Sequence, residues 1–239
     1  MLKELKVTLY DLFGYLLPGT VALGSLGILF WIITAARFPL DFESPSAWIV
    51  TVLLVVAYIC GHFTQGLGNL IDRISRFDTR KKLALATKGH MSQSAIRAAK
   101  HHAASFLQAA PEDITDEDLY MISDTAVAQF GNTGDREVYQ YREGFYRGSA
   151  VSFGLLSVAL LVRLVVPGAA FRIGSGVVSL GWKPLMFSAV VSALFSVVLF
   201  LRYQRFAVYR VTAVIAAFIL LEAGVSNPRG AGVGGSGHA

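Results

Sequence analysis

The amino-acid sequence predicts an all-α integral membrane protein with four transmembrane helices and a helical insertion between the second and the third. Three observations lead to this fold class. The 239 residues are 54% hydrophobic and only 15% charged, which is too apolar for an ordinary soluble domain. Several apolar runs approach the roughly 20 residues that a helix needs to cross a bilayer. Between two of these runs lies a long polar segment that contains no apolar run of that length.

The N-terminal segment, residues 1–68, is predicted to hold one interfacial helix and the first two transmembrane helices. Apolar residues recur at helical spacing over Leu2–Leu16, which is typical of a helix lying in the membrane interface. Pro18-Gly19 is expected to break that helix, because proline lacks a backbone donor and clashes with the preceding turn. The first span then covers Thr20–Ala36, and the second covers about Ala47–Gly66.

Residues 69–147 are predicted to form a helical insertion outside the membrane. They hold eleven basic and eleven acidic residues. Ser92–Ala109 is rich in alanine and polar residues, as a surface helix would be. Thr115 and Asp118 have the spacing of a capping box that opens another helix, and a last helix begins at Asp135. Because runs of β-branched residues are few, no sheet is expected in this segment.

Residues 148–205 are predicted to contain the third and fourth spans. The third covers Gly148–Val166 and is followed by Pro167-Gly168, which ends it. The fourth covers about Lys183–Leu201. The connection between them is short and rich in glycine, so it is expected to be a loop.

The C-terminal region, residues 206–223, leaves two interpretations open. Val211–Leu221 supplies eleven apolar residues, too few to cross a bilayer unless Arg210 is drawn into it. The segment is expected to be a cytoplasmic or interfacial helix, with a fifth span as the alternative. The glycine-rich tail, residues 224–239, is expected to be disordered.

Lysine and arginine near the ends of the spans predict the orientation. Twelve lie at the N-terminus, at the flanks of the insertion and after the fourth span, whereas four lie on the opposite side. Cytoplasmic flanks carry the excess of basic residues in membrane proteins. Both termini and the insertion are therefore expected to be cytoplasmic. Because these flanks account for the net charge of +5, nucleic acid is not expected as a partner.

Polar residues follow one another at helical spacing in the second span and its extension: His62, Gln65, Asn69, then Arg73 or Asp72, and Arg76. We call this set the polar stripe. Polar side chains at membrane depth should face protein or water rather than lipid. The stripe is interpreted as a source of interhelical hydrogen bonds. The alternative is a pH-sensitive or ion-coupled site at His62.

Small residues form two further patterns. Three serines recur at intervals of four in the fourth span: Ser188, Ser192 and Ser196. A second step lies where the last helix of the insertion enters the third span: Gly144, Gly148 and Ser152. Small residues let helices approach closely, and hydroxyls can bond across the contact. The patterns therefore favour helix packing and a homo-oligomer, and a hydroxyl-lined pore is the alternative for the serines.

The sequence contains no recognisable motif for catalysis, cofactor binding or metal binding. There is no phosphate-cradling glycine loop, no HExxH and no GxSxG. A single cysteine, Cys60, leaves neither an intramolecular disulfide nor a cysteine cluster. The adjacent His101 and His102 would point about 100° apart on a helix, which argues against a shared metal. We therefore expect no catalytic, cofactor or metal site, and no enzymatic activity.

Three stretches carry a resemblance to known proteins: DLFGYLLPG at 11–19, GHFTQGLGNLIDR at 61–73 and FYRG at 145–148. They resemble small bacterial four-span membrane proteins with a cytoplasmic helical insertion. Some proteins of that build are regarded as membrane effectors of anti-phage systems, which permeabilise the inner membrane when a cytoplasmic signal is sensed. The resemblance implies a multi-pass protein of the bacterial cytoplasmic (inner) membrane, and it carries over no ligand-binding residue.

Two functions from different classes follow from these patterns. In the first, the protein is a membrane effector whose insertion receives a small-molecule or protein signal and whose spans oligomerise to perturb the bilayer. In the second, it is an anchor or scaffold whose insertion docks a cytoplasmic partner. A transporter is disfavoured, because the four spans show no evident inverted repeats or broken helices.

The topology predicts the behaviour of reporter fusions. A reporter fused after Ala110 should be active only as a cytoplasmic reporter, and one fused after Ser175 only as an exported reporter, because the two positions lie on opposite sides of the third span. Paired alkaline phosphatase and fluorescent protein fusions measure this directly. Identical behaviour at the two positions would exclude the topology.

Overall fold

The computed structural model describes residues 12–34, 46–75, 77–130, 134–166, 171–173, 176–178 and 181–222. Within these residues the chain is all-α, with seven α-helices and one small hairpin. The helices are α1 (Leu17–Thr34), α2 (Ala47–Ser75), α3 (Thr79–Gly89), α4 (Gln93–Leu107), α5 (Asp116–Phe130), α6 (Gly134–Val165) and α7 (Trp182–Glu222). A π-helical turn, Leu12–Leu16, leads into α1, and a 3₁₀ turn, Pro111–Asp113, precedes α5.

Three of the described helices are long and apolar enough to cross a membrane: α2, α6 and α7. A shorter apolar helix, Gly14–Phe30, accompanies them. In the most apolar 18-residue stretch, 17% of the residues are buried in α2 and in α7, and 33% in α6. Apolar surface of this extent is not left facing water in a soluble protein. The chain is therefore a multi-pass membrane protein whose helices contact lipid.

The expected helix break at Pro18-Gly19 is wrong. The π-helical turn leads directly into α1, and Pro18 lies in the first turn of that helix. Proline usually clashes with the carbonyl one turn earlier, and the wider π turn moves that carbonyl away from the ring. The Thr20 hydroxyl donates to the Leu16 carbonyl at 2.8 Å, which supplies a donor at this irregular point. The rest of the predicted interfacial helix over Leu2–Leu16 lies outside the described residues.

The fourth predicted span and the C-terminal segment form one continuous helix, α7. The fourth span was predicted to end at about Leu201 and a second helix to lie within residues 206–223, but the helix continues through the polar run Arg202–Arg205 between them. Arginine and glutamine are good helix formers, and no glycine or proline follows Pro184 within α7. A change from apolar to polar residues therefore marks a change of surroundings along α7 and not its end.

The chain divides into two compact units. Unit 1 comprises residues 1–72 and 141–204, and unit 2 comprises residues 73–140 and 205–239. Most of the predicted insertion thus belongs to unit 2, together with the C-terminal part of α7. The predicted disordered tail, residues 224–239, lies outside the described residues.

Unit 2 has a hydrophobic core of its own, built from α3 to α5 and the C-terminal part of α7. The buried side chains are Leu83, Ile96, Ala99, Ala103, Ala104, Ile114, Leu119, Val127, Val211, Ile215 and Phe218. The last three lie at positions i, i+4 and i+7 of α7, so they share one face. The apolar segment Val211–Leu221 therefore packs as a core helix of unit 2, which explains its apolarity without a fifth span.

Capping explains where the helices of unit 2 begin. Ser92 caps α4, and its hydroxyl accepts from the Ala95 N–H at 3.2 Å. The capping box predicted before α5 is confirmed: the Thr115 hydroxyl accepts from the Asp118 N–H at 3.1 Å, and the Asp118 carboxylate accepts from the Thr115 N–H at 3.3 Å. Each such cap satisfies backbone donors that the helix leaves free.

One departure from the predicted loop lies between α6 and α7. Two short strands, β1 (Phe171–Ile173) and β2 (Gly176–Val178), pair antiparallel with Phe171 opposite Val178. The strands contain β-branched and aromatic residues, which favour extended backbone. Elsewhere the described residues contain helices, turns and connections, and those of the insertion are helical as predicted.

Two substitutions in α7 test whether its C-terminal part is a core helix. Phe218→Ala should destabilise unit 2 by about 3–5 kcal/mol, because Phe218 is fully buried and its loss leaves a cavity. Leu220→Ala is the matched control, since Leu220 is 53% exposed. Limited proteolysis of the detergent-solubilised chain between residues 79 and 130 reports the difference. Equal protection of the two variants would contradict the core assignment.

Candidate functional site

Four polar side chains from three helices meet inside unit 1: Gln65 and Asp72 from α2, Arg147 from α6 and Tyr203 from α7. We call them the arginine cluster. Gln65 and Asp72 are seven residues apart, which places them two turns from each other on the same face of α2. Each of the other two helices contributes one residue near the polar end of its apolar stretch.

Arg147 is the centre of the cluster. Its Nε and Nη2 donate to the Gln65 Oε1 at 3.2 and 3.1 Å. Its Nη1 lies 3.4 Å from the Asp72 Oδ2, close enough for an ion pair. The Tyr203 hydroxyl donates to the same carboxylate oxygen. The guanidinium also lies over the Tyr203 ring, 5.7 Å from its centre, where the ring quadrupole attracts a cation.

The Gln65 amide connects the cluster to the backbone of α6. Its Nε2 donates to the Gly144 carbonyl, while its oxygen accepts from Arg147. The amide therefore uses its donor and its acceptor in contacts to one neighbouring helix. Since a glutamine has both groups, it can bridge a cationic side chain and a carbonyl, which neither a carboxylate nor a lysine could do.

Because the cluster is largely buried, the loss of one member should lower the stability of unit 1. The Arg147 and Asp72 side chains are 18% and 14% exposed, and Tyr203 is fully buried. Removing one partner costs up to about 3–5 kcal/mol, the range for a fully buried ion pair, because the other charge stays largely desolvated. The cluster therefore requires all of its members, and helices α2, α6 and α7 are held in one arrangement by it.

Glycines make the space for the cluster. A Cβ at Gly68 would lie 2.6 Å from the Arg147 Cγ, and one at Gly148 would lie 2.8 Å from the Gln65 Nε2. Both distances are shorter than carbon atoms and amide groups tolerate. Gly61 plays a similar part against α1 and the preceding turn, where a Cβ would overlap the Tyr15 carbonyl. The glycines therefore permit helix contacts within a single chain.

The structure places the members of the predicted polar stripe in different surroundings. Gln65 joins the arginine cluster, whereas Asn69 and Arg73 are exposed. His62 faces another way, with its ring stacked on Tyr15 at 4.1 Å between centres. Asp72, the alternative to Arg73 in the stripe, is the residue that enters the cluster, and Arg76 lies outside the described residues.

The predicted small residues of α6 act within the chain. The Gly144 carbonyl accepts from Gln65, and Gly148 leaves room for the same side chain. The Ser152 hydroxyl donates to the Gly148 carbonyl at 2.8 Å, so it is satisfied inside its own helix. These contacts supply an intramolecular reason for the spacing, and the homo-oligomer stays a prediction.

The serines of α7 divide into two kinds. Ser192 is buried, and the Ser196 hydroxyl donates to the Ala150 carbonyl of α6 at 2.7 Å. A reciprocal bond runs from the Ser157 hydroxyl of α6 to the Ala189 carbonyl at 3.0 Å. Ser188, in contrast, is exposed. Ser192 and Ser196 therefore lie at the α6–α7 contact, as a packing role requires, and Ser188 lies outside it.

Arg147 and Tyr203 were not predicted as site residues. Arg147 was counted only among the basic flanks that set the orientation, and Tyr203 lies in the polar run that was expected to end a helix. A signal was present, since Gly61 and Gly68 fall on the same face of α2 as Gln65 and Asp72. That face, and not the neighbouring one chosen for the stripe, is the one that packs.

The side chains of the arginine cluster contact one another across three helices, an arrangement that suits an interhelical clamp. No group of three or more histidine, cysteine or acidic residues that could hold a metal ion occurs in the part of the chain that the structure describes. Comparisons of the chain with protein-family models, curated proteins and solved structures find no match.

The serines allow the α6–α7 contact to be tested. Ser196→Leu should destabilise the α6–α7 contact, because it adds volume and removes the bond to Ala150, whereas Ser188→Leu should be tolerated. Ser196→Ala keeps the side chain small and should cost about 1 kcal/mol. Thermal unfolding in detergent measures the order of stability. A destabilisation by Ser188→Leu as large as that by Ser196→Leu would place the contact elsewhere.

Proposed function

We propose that this protein crosses the membrane four times with both ends in the cytoplasm and acts as a membrane effector. A cytoplasmic signal, either a small molecule or a protein, is received by unit 2, and the helices of unit 1 then rearrange or oligomerise to perturb the bilayer. The first of the four spans is formed by the π-helical turn and α1, whose combined length of roughly 30 Å matches the hydrocarbon core.

The arginine cluster is the observation that carries this proposal. An anchor needs only apolar helices, and ionisable groups among such helices are expensive. Burying the Arg147–Asp72 pair adds desolvation that well-packed apolar residues of similar volume would avoid. A charged cluster at this place therefore favours a function in which the arrangement of α2, α6 and α7 matters and can change.

The chemistry of the cluster suits a reversible clamp. The contacts are hydrogen bonds and one ion pair, each of which can be exchanged for water or for lipid headgroups when the helices separate. The apolar side chains on the outer faces of α2 and α7 are largely uncovered in the single chain. Those faces are available to lipid and to further copies of the protein once the clamp opens.

Anchoring or scaffolding is the second candidate function, and a separate observation favours it. Unit 2 has a complete hydrophobic core, yet it exposes large apolar side chains at the ends of two helices. They are Phe106, Leu107 and Phe130, which are 56%, 51% and 74% exposed. Exposed apolar side chains of this size are typical of surfaces that bind a protein. This function requires no change in unit 1.

Dye release from vesicles separates the two functions. Arg147→Gln should increase the leakage of vesicles that contain the purified chain, because it leaves Asp72 without its cationic partner and loosens the clamp. Asp72→Asn should act in the same direction. Arg142→Gln is the matched control, since Arg142 is an exposed arginine of the same helix.

Vesicles that contain the wild-type chain without a signal, or the Arg142→Gln control, should both retain the dye. Release that is absent from all four proteins, although circular dichroism shows that each is inserted and helical, would exclude the effector and leave the anchor. Equal release from Arg142→Gln and Arg147→Gln would show that loss of charge matters and the clamp does not.

A further inference from the structure

The charges of the insertion are strongly segregated along the chain. From Arg73 to Pro111 there are eight lysine or arginine residues and one acidic residue, Asp78. From Glu112 to Glu143 there are nine acidic residues and two arginines. The insertion as a whole holds equal numbers of basic and acidic residues, so its net charge does not show this segregation. The basic half and the acidic half of the insertion are therefore expected to bind different partners.

Helix α3 carries the densest part of the basic half. Its sequence, TRKKLALATKG, holds four basic residues and no acidic residue. Leu83 and Ala86 are buried at 2% and 0% exposure, so they form the inner side of the helix.

The opposite side of α3 presents Lys81, Leu85 and Lys88, at positions i, i+4 and i+7. Both lysines are exposed, and Leu85 is 39% exposed. We call these three residues the α3 basic face.

The Lys81 ammonium lies over the Phe77 ring, 5.7 Å from its centre, but α3 itself contains no acidic residue that would neutralise its cations. The one acidic residue of the region, Asp78, is occupied as the N-cap of α3, where its Oδ1 accepts from the Lys81 backbone N–H at 2.9 Å. Three cations lie in the first turn, at the positive end of the helix dipole, where positive charge is unfavourable. Helix stability therefore does not explain their placement, and an anionic partner would.

The chain holds α3 near the membrane. Ser75, the last residue of α2, lies about 14 Å along the helix from Gly66, the predicted end of the second span. Thr79 follows four residues later, at most about 14 Å away. The headgroup layer adds roughly 5–8 Å to each side of the hydrocarbon core. Ser75 thus lies about 6–9 Å beyond the headgroup layer, and the connection is long enough for the start of α3 to lie at the lipid headgroups.

We propose that the α3 basic face binds anionic lipid headgroups of the membrane that α2 enters. The two lysines pair with headgroup phosphates, and Leu85 between them inserts at the boundary, as in amphipathic helices that lie on membranes. The inference holds for an effector and for an anchor alike, because it depends only on α2 crossing the bilayer.

A single fluorophore tests this binding in the full-length chain. Cys60 is the only cysteine, so Cys60→Ala with Leu85→Cys places an environment-sensitive label on the α3 basic face. The protein is reconstituted into vesicles of phosphatidylcholine alone or mixed with phosphatidylglycerol. We expect a blue-shifted emission and slower quenching by the neutral quencher acrylamide only with phosphatidylglycerol, reversed by about 1 M salt, at which the Debye length is about 3 Å.

Matched variants assign the effect to the lysines. Lys81→Gln with Lys88→Gln should lower the ratio of bound to free α3 roughly thirtyfold, at about fivefold for each lysine. Lys81→Arg with Lys88→Arg should retain binding. Arg97→Gln with Lys183→Gln removes two exposed charges outside α3 and should leave the emission unchanged.

Four results would overturn the inference: equal emission in the two lipid mixtures, a shift that persists in high salt, equal loss in the α3 and the control variants, or loss in the arginine variant. A single-stranded oligonucleotide that shifts the emission in phosphatidylcholine vesicles, where phosphatidylglycerol has no effect, would assign the face to nucleic acid instead. Circular dichroism of each variant in detergent verifies that α3 and the rest of the chain remain helical.

Discussion

A guanidinium buried among apolar helices must be surrounded by acceptors, and in unit 1 this requirement falls on Arg147. It is met by the Gln65 amide and the Asp72 carboxylate of one helix, and Tyr203 of another helix donates to the same carboxylate oxygen that Arg147 approaches. Side-chain lengths then determine how far apart the helices lie. An added Cβ at Gly68 or Gly148 would overlap the side chain of Arg147 or Gln65, so the cluster depends on these small residues as well as on its charges.

This constraint explains the small-residue patterns by contacts within one chain. Spacing such as Gly144, Gly148 and Ser152 is widely associated with helix dimers, but here two of the three positions contact a glutamine of the same chain. The serine contacts of α6 and α7 are also intramolecular. An oligomer would have to use the uncovered apolar faces. Its interface would then depend more on shape complementarity between copies than on hydrogen bonds.

Local patterns predicted much of the fold. The apolar runs identified the helices that can cross a membrane, and the Thr115–Asp118 capping box located the start of α5, because both depend on residues close in sequence. The packing of Val211, Ile215 and Phe218 against the insertion was not predictable, since it joins segments about a hundred residues apart. Arg147 was misjudged for a related reason. A basic residue beside a span suits the membrane boundary, and only its partners on α2 and α7 show that it is buried.

A double-mutant cycle between Asp72 and Arg147 tests the clamp most directly. Asp72→Asn, Arg147→Met and the double variant are compared with the wild-type chain by thermal unfolding in detergent, with Arg142→Met as the control for loss of charge. We predict that each single substitution is strongly destabilising and that the double variant is more stable than the sum of the two effects requires, by about 0.5–3 kcal/mol. Strictly additive effects would show that the two residues do not hold α2 and α6 together.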